Sequence, residues 1–235
     1  MRLKYLDHRD QDIPRRILAA AEVVFADKGI EKATLKEITE RAEVNVAAVS
    51  YYFGSKSVLA LAVFDELSTR LNEQRILDLK GCISSAKEKG KTPDLDSIIE
   101  VFIRPYVDMG KSGRLFARLV MQHRLAPTAL TKEIATRHFD PMAKSFIAAI
   151  SEACPHLDPG QAVWRYMFMI GAVVYVVADA GLTDRASRIS GGKVDVKSPE
   201  LLHGAMVDFL VGGLAARSAE KSKADVPSKK RSTRP

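Results

Sequence analysis

Apolar residues recur at helical spacing along most of the chain. One such series follows steps of three and four residues and consists of Ile13, Ile17, Ala20, Ala21, Val24 and Phe25. Residues spaced in this way lie on one face of a helix. No stretch alternates polar and apolar residues over the length of a strand. The pattern therefore predicts an all-α protein.

Capping residues divide the first third of the sequence into helices. The predicted helices cover about 13–28, 34–42, 45–53 and 56–79. Asp12 can cap the first helix and Gly29 stands where it should stop. Residues 34–37 read Thr-Leu-Lys-Glu, a capping box that opens the second helix. Asn45 is a good N-cap for the third helix, which follows the second after a very short connection.

The remaining sequence predicts further helices separated by polar segments. These helices cover about 95–109, 112–125, 128–153, 159–179 and 199–217. Residues 81–94 and 182–197 contain little apolar material, so the first is predicted as a loose connection and the second as a flexible loop. Residues 218–235 are rich in Ser, Lys and Arg and have nothing to bury, which predicts a disordered basic tail.

Composition excludes several protein classes. Charged residues make up 28% and hydrophobic residues 46% of the 235 residues, which is typical of a globular domain. The longest apolar run, 167–178, is shorter than the roughly 20 residues of a membrane span, so no membrane partner is expected. The charged first ten residues do not resemble a signal peptide. Cys82 and Cys154 have no metal-ligand spacing, which favours a reducing cytoplasmic location.

The net charge of +7 comes mostly from the end of the chain. Residues 217–235 contribute five of the seven charges, whereas 1–57 and 58–216 contribute one each. The basic balance of the whole chain is therefore weak evidence for nucleic-acid binding. Any such function must rest on a local motif.

The second and third helices form a helix-turn-helix pattern. In that motif the third helix packs one face on its neighbours and presents the other to the DNA major groove. Val49 and Phe53 lie four residues apart and can form the packed face. The opposite face carries two further pairs at the same spacing, Val46 with Ser50 and Ala47 with Tyr51. Its residues are mostly small and include no acid, which suits a close approach to base edges.

Residues 13–64 closely resemble the DNA-binding domain of TetR-family transcriptional regulators. The shared segment is ITERAEVNVAAVSYYFGSKSVL, at 38–59. Segments 45–56 and, more loosely, 155–172 look most like the branch that contains fatty-acid-responsive regulators. The resemblance implies an N-terminal three-helix helix-turn-helix domain, joined by a long fourth helix to a C-terminal ligand-binding and dimerisation domain. The corresponding boundaries are 1–57 for the N-terminal arm and DNA-binding domain, 58–217 for the second domain and 218–235 for the tail.

The same resemblance implies a set of DNA contacts. They are Thr34, Lys36, Asn45, Val46, Ala47, Ala48, Ser50, Tyr51, Tyr52 and Lys56. Hydroxyl and ammonium groups suit phosphates, and small side chains suit the groove. Alternatively, Tyr52 also packs, Lys36 is merely solvated and Asn45 acts mainly as a cap. Two positions depart from the family: Ser50 replaces a frequent Tyr, and Glu43 replaces the usual Gly of the turn.

Two C-terminal helices are candidates for a homodimer interface. The helix at 159–179 is apolar almost all round, so it must be buried on two sides. The last helix carries a second apolar stripe. The predicted interface residues are Met167, Val174, Leu202, Met206, Phe209, Leu210 and Gly213. The alternative is that all of them pack within one monomer.

The resemblance also implies an apolar effector cavity among the middle helices. Its candidate lining is Phe102, Tyr106, Phe116, Leu119, Met121, Phe146, Trp164 and Phe168. A fatty acid or acyl-CoA would need a cationic anchor, for which the candidates are Arg104, Arg118, Arg124 and His123. Each of these residues could instead be ordinary core or solvated surface.

Enzymatic motifs are missing from the sequence. Residues 89–92 end like a phosphate loop, but the first glycine of that motif is replaced by Ser85. The five histidines have no metal-ligand spacing, and neither a cofactor nor a metal is expected. The sequence therefore predicts a ligand-responsive homodimeric repressor of an inverted-repeat operator in double-stranded DNA. An architectural DNA-binding protein that uses its basic tail is the main alternative, and an α-helical enzyme is a weaker one.

Overall fold

The computed structural model describes residues 12–178, 182–194 and 198–217, and every regular element within them is helical. The elements are α1 (Asp12–Lys28), α2 (Leu35–Ala42), α3 (Val46–Phe53), α4 (Lys56–Glu88), α5 (Leu95–Asp108), α6 (Gly110–Leu125), α7 (Ala129–Ile134), a π-helical turn (Ala135–Phe139), α8 (Asp140–Ala153), α9 (Pro159–Val177), α10 (Leu182–Ile189) and α11 (Pro199–Ala215). The all-α prediction is confirmed. The predicted N-terminal arm and the basic tail lie outside the described residues.

Two of the predicted caps, Thr34 and Asn45, open helices of the N-terminal domain, whereas Asp12, the cap predicted for the first helix, lies in the first turn of α1. Thr34 and Glu37 form both bonds of the capping box: Oγ1 of Thr34 accepts from the Glu37 amide at 3.2 Å, and the Glu37 carboxylate accepts from the Thr34 amide at 3.1 Å. The Asn45 side chain accepts from the Ala47 amide at 2.9 Å. Ser55 caps α4 by accepting from the Val58 amide. Local side-chain chemistry therefore fixes the starts of α2, α3 and α4.

Three predictions of secondary structure are wrong in part. Helix α4 continues to Glu88, so most of the predicted connection at 81–94 is helical. Its polar stretch at 84–88 consists of Ser, Ala, Lys and Glu, and Ala, Lys and Glu form exposed helix readily. Residues 182–189 form α10 rather than a flexible loop. The single helix predicted at 128–153 is interrupted by the π-helical turn.

The long helix α4 joins the DNA-binding helices to the rest of the chain. Near its start Leu59 and Val63 are buried against the N-terminal helices, and further along Leu71 and Leu79 are buried among the C-terminal ones. Arg70 of α4 also donates to Glu22 of α1 at 3.0 Å. A displacement of α4 therefore acts on both groups of helices.

Helix α9 is long and apolar along most of its length. Within the described residues it is the one helix whose length and composition alone would allow it to cross a membrane, although a third of that stretch is buried inside the protein. One such helix is weak evidence for a membrane span, because core helices of other proteins share these properties.

Candidate nucleic-acid interface and effector core

Helix α3 buries one face and exposes the other. Val49 and Phe53 are buried against the neighbouring helices, as their spacing predicts. Val46, Ala47 and Ser50 are exposed on the opposite face. A helix of eight residues with small outward side chains can approach the floor of a major groove without obstruction. Helix α3 therefore has the one buried face and the one exposed face that a helix-turn-helix motif requires.

Polar groups flank the exposed face of α3. Thr34, the N-cap of α2, and Lys36, in the first turn of that helix, are exposed. Lys36 lies 3.8 Å from the Glu40 carboxylate. Tyr51 is 82% exposed, whereas Tyr52 is half-buried and contacts the Tyr51 ring edge-on at 4.9 Å between centroids. The Asn45 side chain is already engaged as the N-cap of α3. Hydroxyl and ammonium groups at the rim of a groove-binding helix can contact phosphates.

Lys56 has a role inside the protein that the sequence did not predict. Its Nζ donates to the main-chain carbonyls of Glu31 and Ala33, both at 3.1 Å. The side chain therefore ties the start of α4 to the turn between α1 and α2. An ammonium group carries three donors, so one remains for a phosphate.

The turn between α2 and α3 contains a left-handed residue that is not glycine. Glu43 has φ 52° and ψ 48°, the backbone conformation that glycine adopts most easily. Arg16 of α1 donates to the Glu43 carbonyl at 3.0 Å and to its carboxylate at 3.3 Å. The turn keeps the geometry of a glycine turn in spite of the substitution, and the acid is partly neutralised by Arg16.

A network of hydrogen bonds stabilises the negative charge of Glu37. Lys28 donates to its carboxylate at 2.6 Å, and the amide and hydroxyl of Thr34 add to this effect. Together they lower the pKa of Glu37 from 4.5 to about 2. The start of α2, where Thr34 and Lys36 lie, is thereby held in place near neutral pH.

The residues of the predicted effector lining are divided between the core and the surface. Most of its members, namely Phe102, Tyr106, Phe116, Leu119 and Phe146, are buried in the core of the C-terminal helices, and Met121 is half-buried. Trp164 and Phe168 are 65% and 67% exposed on the outside of α9. Their assignment to the lining is wrong, because α9 turns the side of Tyr166, Met169 and Val173 towards the core.

The predicted dimer surface also needs a correction. Val174, Met206 and Leu210 are buried within the protomer, so they belong to its own core, and Leu202 is half-buried. Met167, Phe209 and Gly213 are exposed, as an interface requires. The exposed large apolar side chains of α9 and α11 are Val163, Trp164, Met167, Phe168, Tyr175, Leu201 and Phe209, half of all such residues in the described chain. We name this set the α9–α11 face.

Direct contacts join the two helices of the α9–α11 face. Arg165 of α9 donates to the carbonyls of Gly213 and Leu214 at the end of α11. Trp164 and Phe168 stack at 5.9 Å between ring centroids with an interplanar angle of 24°. The face is therefore a preformed apolar surface on two connected helices.

The candidate anchors for an effector head group are on or near the surface. Arg104 pairs with Glu100, and Arg118 donates to the Ala178 carbonyl at 2.8 Å. Arg124 is exposed. His123 is half-buried, and burial lowers its pKa. None of the four guanidinium or imidazole groups lies fully inside the described core.

Sequence reasoning missed a fully buried arginine. Arg75 of α4 is 0% exposed and lies against the rings of Phe102 and Tyr106. The polar sequence around it, Asn-Glu-Gln-Arg at 72–75, suggests an exposed helix surface. Its position four residues after Leu71 and four before Leu79, both apolar, is the one signal that places it on the buried side.

Comparison with known proteins agrees with this architecture. A family model described as bacterial regulatory proteins, tetR family, matches residues 17–63, and one described as tetracyclin repressor-like, C-terminal domain, matches residues 100–213. Together the two matches span over two thirds of the chain. An HTH-type transcriptional repressor from Mycobacterium tuberculosis is 27% identical over 155 residues, which cover 57% of this chain and 77% of that protein. The A-factor receptor protein of Streptomyces griseus is 35% identical over 75 residues, covering 32% of this chain and 27% of the receptor.

Solved structures share the fold. A TetR-like transcriptional regulator from Rhodococcus sp. RHA1 matches with a TM-score of 0.56 and 20% identity, covering 91% of this chain and all of that chain. The fatty acid degradation regulator FadR from Bacillus halodurans matches with a TM-score of 0.57 and 17% identity over the same shares. Regulators of this family bind DNA, dimerise and respond to small-molecule effectors. The chain described here belongs to the TetR family of transcriptional regulators and is a DNA-binding regulator rather than an enzyme.

Proposed function

We propose that this protein is a homodimeric cytoplasmic repressor that binds an inverted-repeat operator and is released by a small, largely apolar effector. The observation that carries the proposal is the exposed face of α3, formed by Val46, Ala47 and Ser50, with Val49 and Phe53 buried behind it. A helix presented in this way can read base edges while its other side anchors it to the domain.

The α9–α11 face supports the dimeric part of the proposal. Its exposed apolar residues lie on two helices that Arg165 holds together. Exposing an apolar surface of this size to water costs free energy. That cost is removed when two copies of the protein bury the face against each other around a two-fold axis. A two-fold dimer carries two copies of α3, which for successive major grooves must lie about 34–36 Å apart. That symmetry favours an inverted repeat.

Helix α4 supports the effector-responsive part. It begins with Lys56 at the α1–α2 turn and runs into the aromatic core of the C-terminal helices. An effector that binds among those helices and displaces α4 would change the separation of the two α3 helices. Such an effector would weaken DNA binding only to the extent that it binds the protein with α4 displaced more tightly than the protein with α4 in place.

Selection of bound fragments from genomic DNA tests this proposal. We expect the purified full-length protein to enrich sites made of two inverted half-sites whose centres are about one helical turn apart. Enrichment of single half-sites, or of DNA without any common sequence, would contradict the proposed operator. Footprinting on an enriched fragment then gives the separation of the half-sites directly.

Deleting residues 218–235 separates the proposal from its main alternative. An architectural protein that relies on its basic tail would lose most of its DNA affinity with those residues, because their cations release counterions from the phosphates. The proposed regulator retains its preference for the operator over unrelated DNA. A loss of that preference on deletion would favour the alternative.

A further inference from the structure

A charged side chain lies in the middle of the C-terminal core. Arg75 of α4 is 0% exposed. Its Nε donates to the Phe102 carbonyl at 3.0 Å, and its Nη1 donates to the Asn72 side chain at 3.1 Å. The guanidinium lies 4.9 Å from the ring centre of Phe102 and 4.3 Å from that of Tyr106. These contacts fix the position of the charge.

All of these partners are neutral. Arginine stays protonated in proteins, so the buried group carries a full positive charge. No carboxylate in the described part of the chain forms an ion pair with it, and its Nη2 has no hydrogen-bond partner there. Contact with aromatic rings offsets only part of the cost of removing such a charge from water. The site therefore favours an anion.

A second unsatisfied donor belongs to the same cluster. The hydroxyl of Tyr166 in α9 is buried and has no hydrogen-bond partner within the described residues. Its ring meets that of Phe102 edge-on at 6.2 Å between centroids. Burial raises the pKa of Tyr166 above its ordinary value, although the charge of Arg75 opposes this effect. The phenol therefore remains protonated and can donate a hydrogen bond.

The geometry points to Arg75 and Tyr166 as the binding site for the carboxylate of an apolar effector, an inference that rests on the proposed function and specifies the chemistry of its ligand. A carboxylate accepts several hydrogen bonds and supplies the missing negative charge. The rings of Phe102, Tyr106 and Phe146, which surround the site, suit an aliphatic or aromatic remainder. The site differs from the surface cations Arg104, Arg118 and Arg124.

The burial of the site couples binding to movement. Because Arg75 is completely covered, a carboxylate can reach it only when the helices around it separate. Two of these helices are α4, which continues into the DNA-binding domain, and α5. Asn72, the partner of Arg75, also donates to the carbonyl of His138 in the π-helical turn at 3.3 Å. Such turns are frequent at functional sites.

Thermal unfolding of the full-length protein with matched probes tests the inference. Octanoate and benzoate are compared with octanol and benzyl alcohol, which have the same apolar part without the charge. We expect at least one carboxylate to raise the melting temperature by several degrees and its alcohol to have no such effect. Sodium chloride and phosphate, added over the same range, test whether any anion suffices.

Two variants test whether the stabilisation by carboxylates depends on Arg75 and Tyr166. Arg75→Met removes the charge at similar length, and we expect it to abolish the stabilisation by the carboxylate. Tyr166→Phe removes only the hydroxyl, and we expect at least tenfold weaker binding with an unchanged or higher melting temperature of the free protein. A merely structural role for the hydroxyl would instead lower that temperature. Tyr166→Phe also keeps the test decisive if Arg75→Met does not fold.

The outcomes separate this inference from the proposed function. No stabilisation by either carboxylate, or equal stabilisation of wild type and both variants, would overturn the carboxylate site while leaving operator binding untouched. Equal stabilisation by chloride would also overturn it, because the site would then hold a simple structural anion. Stabilisation that depends on Arg75 but does not release operator DNA would support the site and contradict release by effector.

Discussion

The guanidinium of Arg16 donates to both the main-chain carbonyl and the carboxylate of Glu43, at 3.0 and 3.3 Å. This contact joins α1 to the turn of the helix-turn-helix motif. It stabilises a turn whose central residue has the left-handed backbone conformation without being glycine. The orientation of α3 relative to α2 therefore depends on a strained residue held by a partner from another helix.

Replacing Glu43 separates backbone strain from charge. Glu43→Gly and Glu43→Ala both remove the carboxylate, but only the glycine variant relieves the left-handed strain. We expect the glycine variant to be more stable than the alanine variant by about 1 kcal/mol in the free energy of unfolding. Chemical denaturation measures the difference. An alanine variant at least as stable as the glycine variant would show that the turn carries no strain.

Lys56→Met tests the dual role of this lysine. The loss of two hydrogen bonds to the α1–α2 turn should cost about 1–2 kcal/mol of stability. If the remaining donor binds a phosphate, the slope of log affinity against log salt should also become shallower by about one. Lys80→Met, which removes an exposed charge farther along α4, is the matched control. Equal slopes for the two variants would exclude a phosphate contact by Lys56.

The Glu37 network predicts a dependence of stability on pH. Because the pKa of Glu37 falls from 4.5 to about 2 on folding, its ionised form stabilises the protein above pH 4.5, and this contribution is lost as the pH falls towards 2. Glu37→Gln can retain the capping geometry without the charge. We expect the wild type to melt at a higher temperature than this variant near pH 6, with the difference shrinking below pH 4.5. A difference that does not change with pH would contradict the assignment.

The oligomeric state tests the α9–α11 face. Phe168→Glu places a charge at an exposed position of α9, so folding should be retained while pairing of two copies is disrupted. Light scattering after gel filtration should show a dimer for the wild type and a monomer for the variant. Leu125→Glu makes the same change at an exposed leucine of α6 and should remain dimeric. If the Phe168→Glu protein is still a dimer, the α9–α11 face is not the dimer interface.

Local patterns in the sequence are enough to predict the helix-turn-helix motif. The caps at Thr34 and Asn45 and the buried pair Val49 and Phe53 depend on neighbours within a few residues, so spacing identifies them. The same holds for the order of the helices. Their ends were less predictable, because the polar residues at 84–88 form an exposed helix rather than a loop.

Long-range packing explains what the sequence could not predict. A helix as uniformly apolar as α9 gives no periodic signal of which side faces the core, so the sequence predicts Trp164 to be in the interior although it is exposed. Conversely, a polar segment conceals the buried Arg75, whose environment is formed by rings from α5 that are distant in sequence. Which side of α9 and which side of α4 faces the core depends on how each helix is rotated about its axis relative to its neighbours.

The most direct test of the central claim is the DNA affinity of a variant altered on the outward face of α3. Ala47→Glu adds an acid at an exposed position, so folding should be unaffected, whereas binding should weaken at least tenfold because the acid faces the DNA. Ala148→Glu, at an exposed position of α8, is the control and should bind like the wild type. Fluorescence anisotropy with a selected operator duplex measures both. Equal affinities for the two variants would show that α3 does not enter the groove.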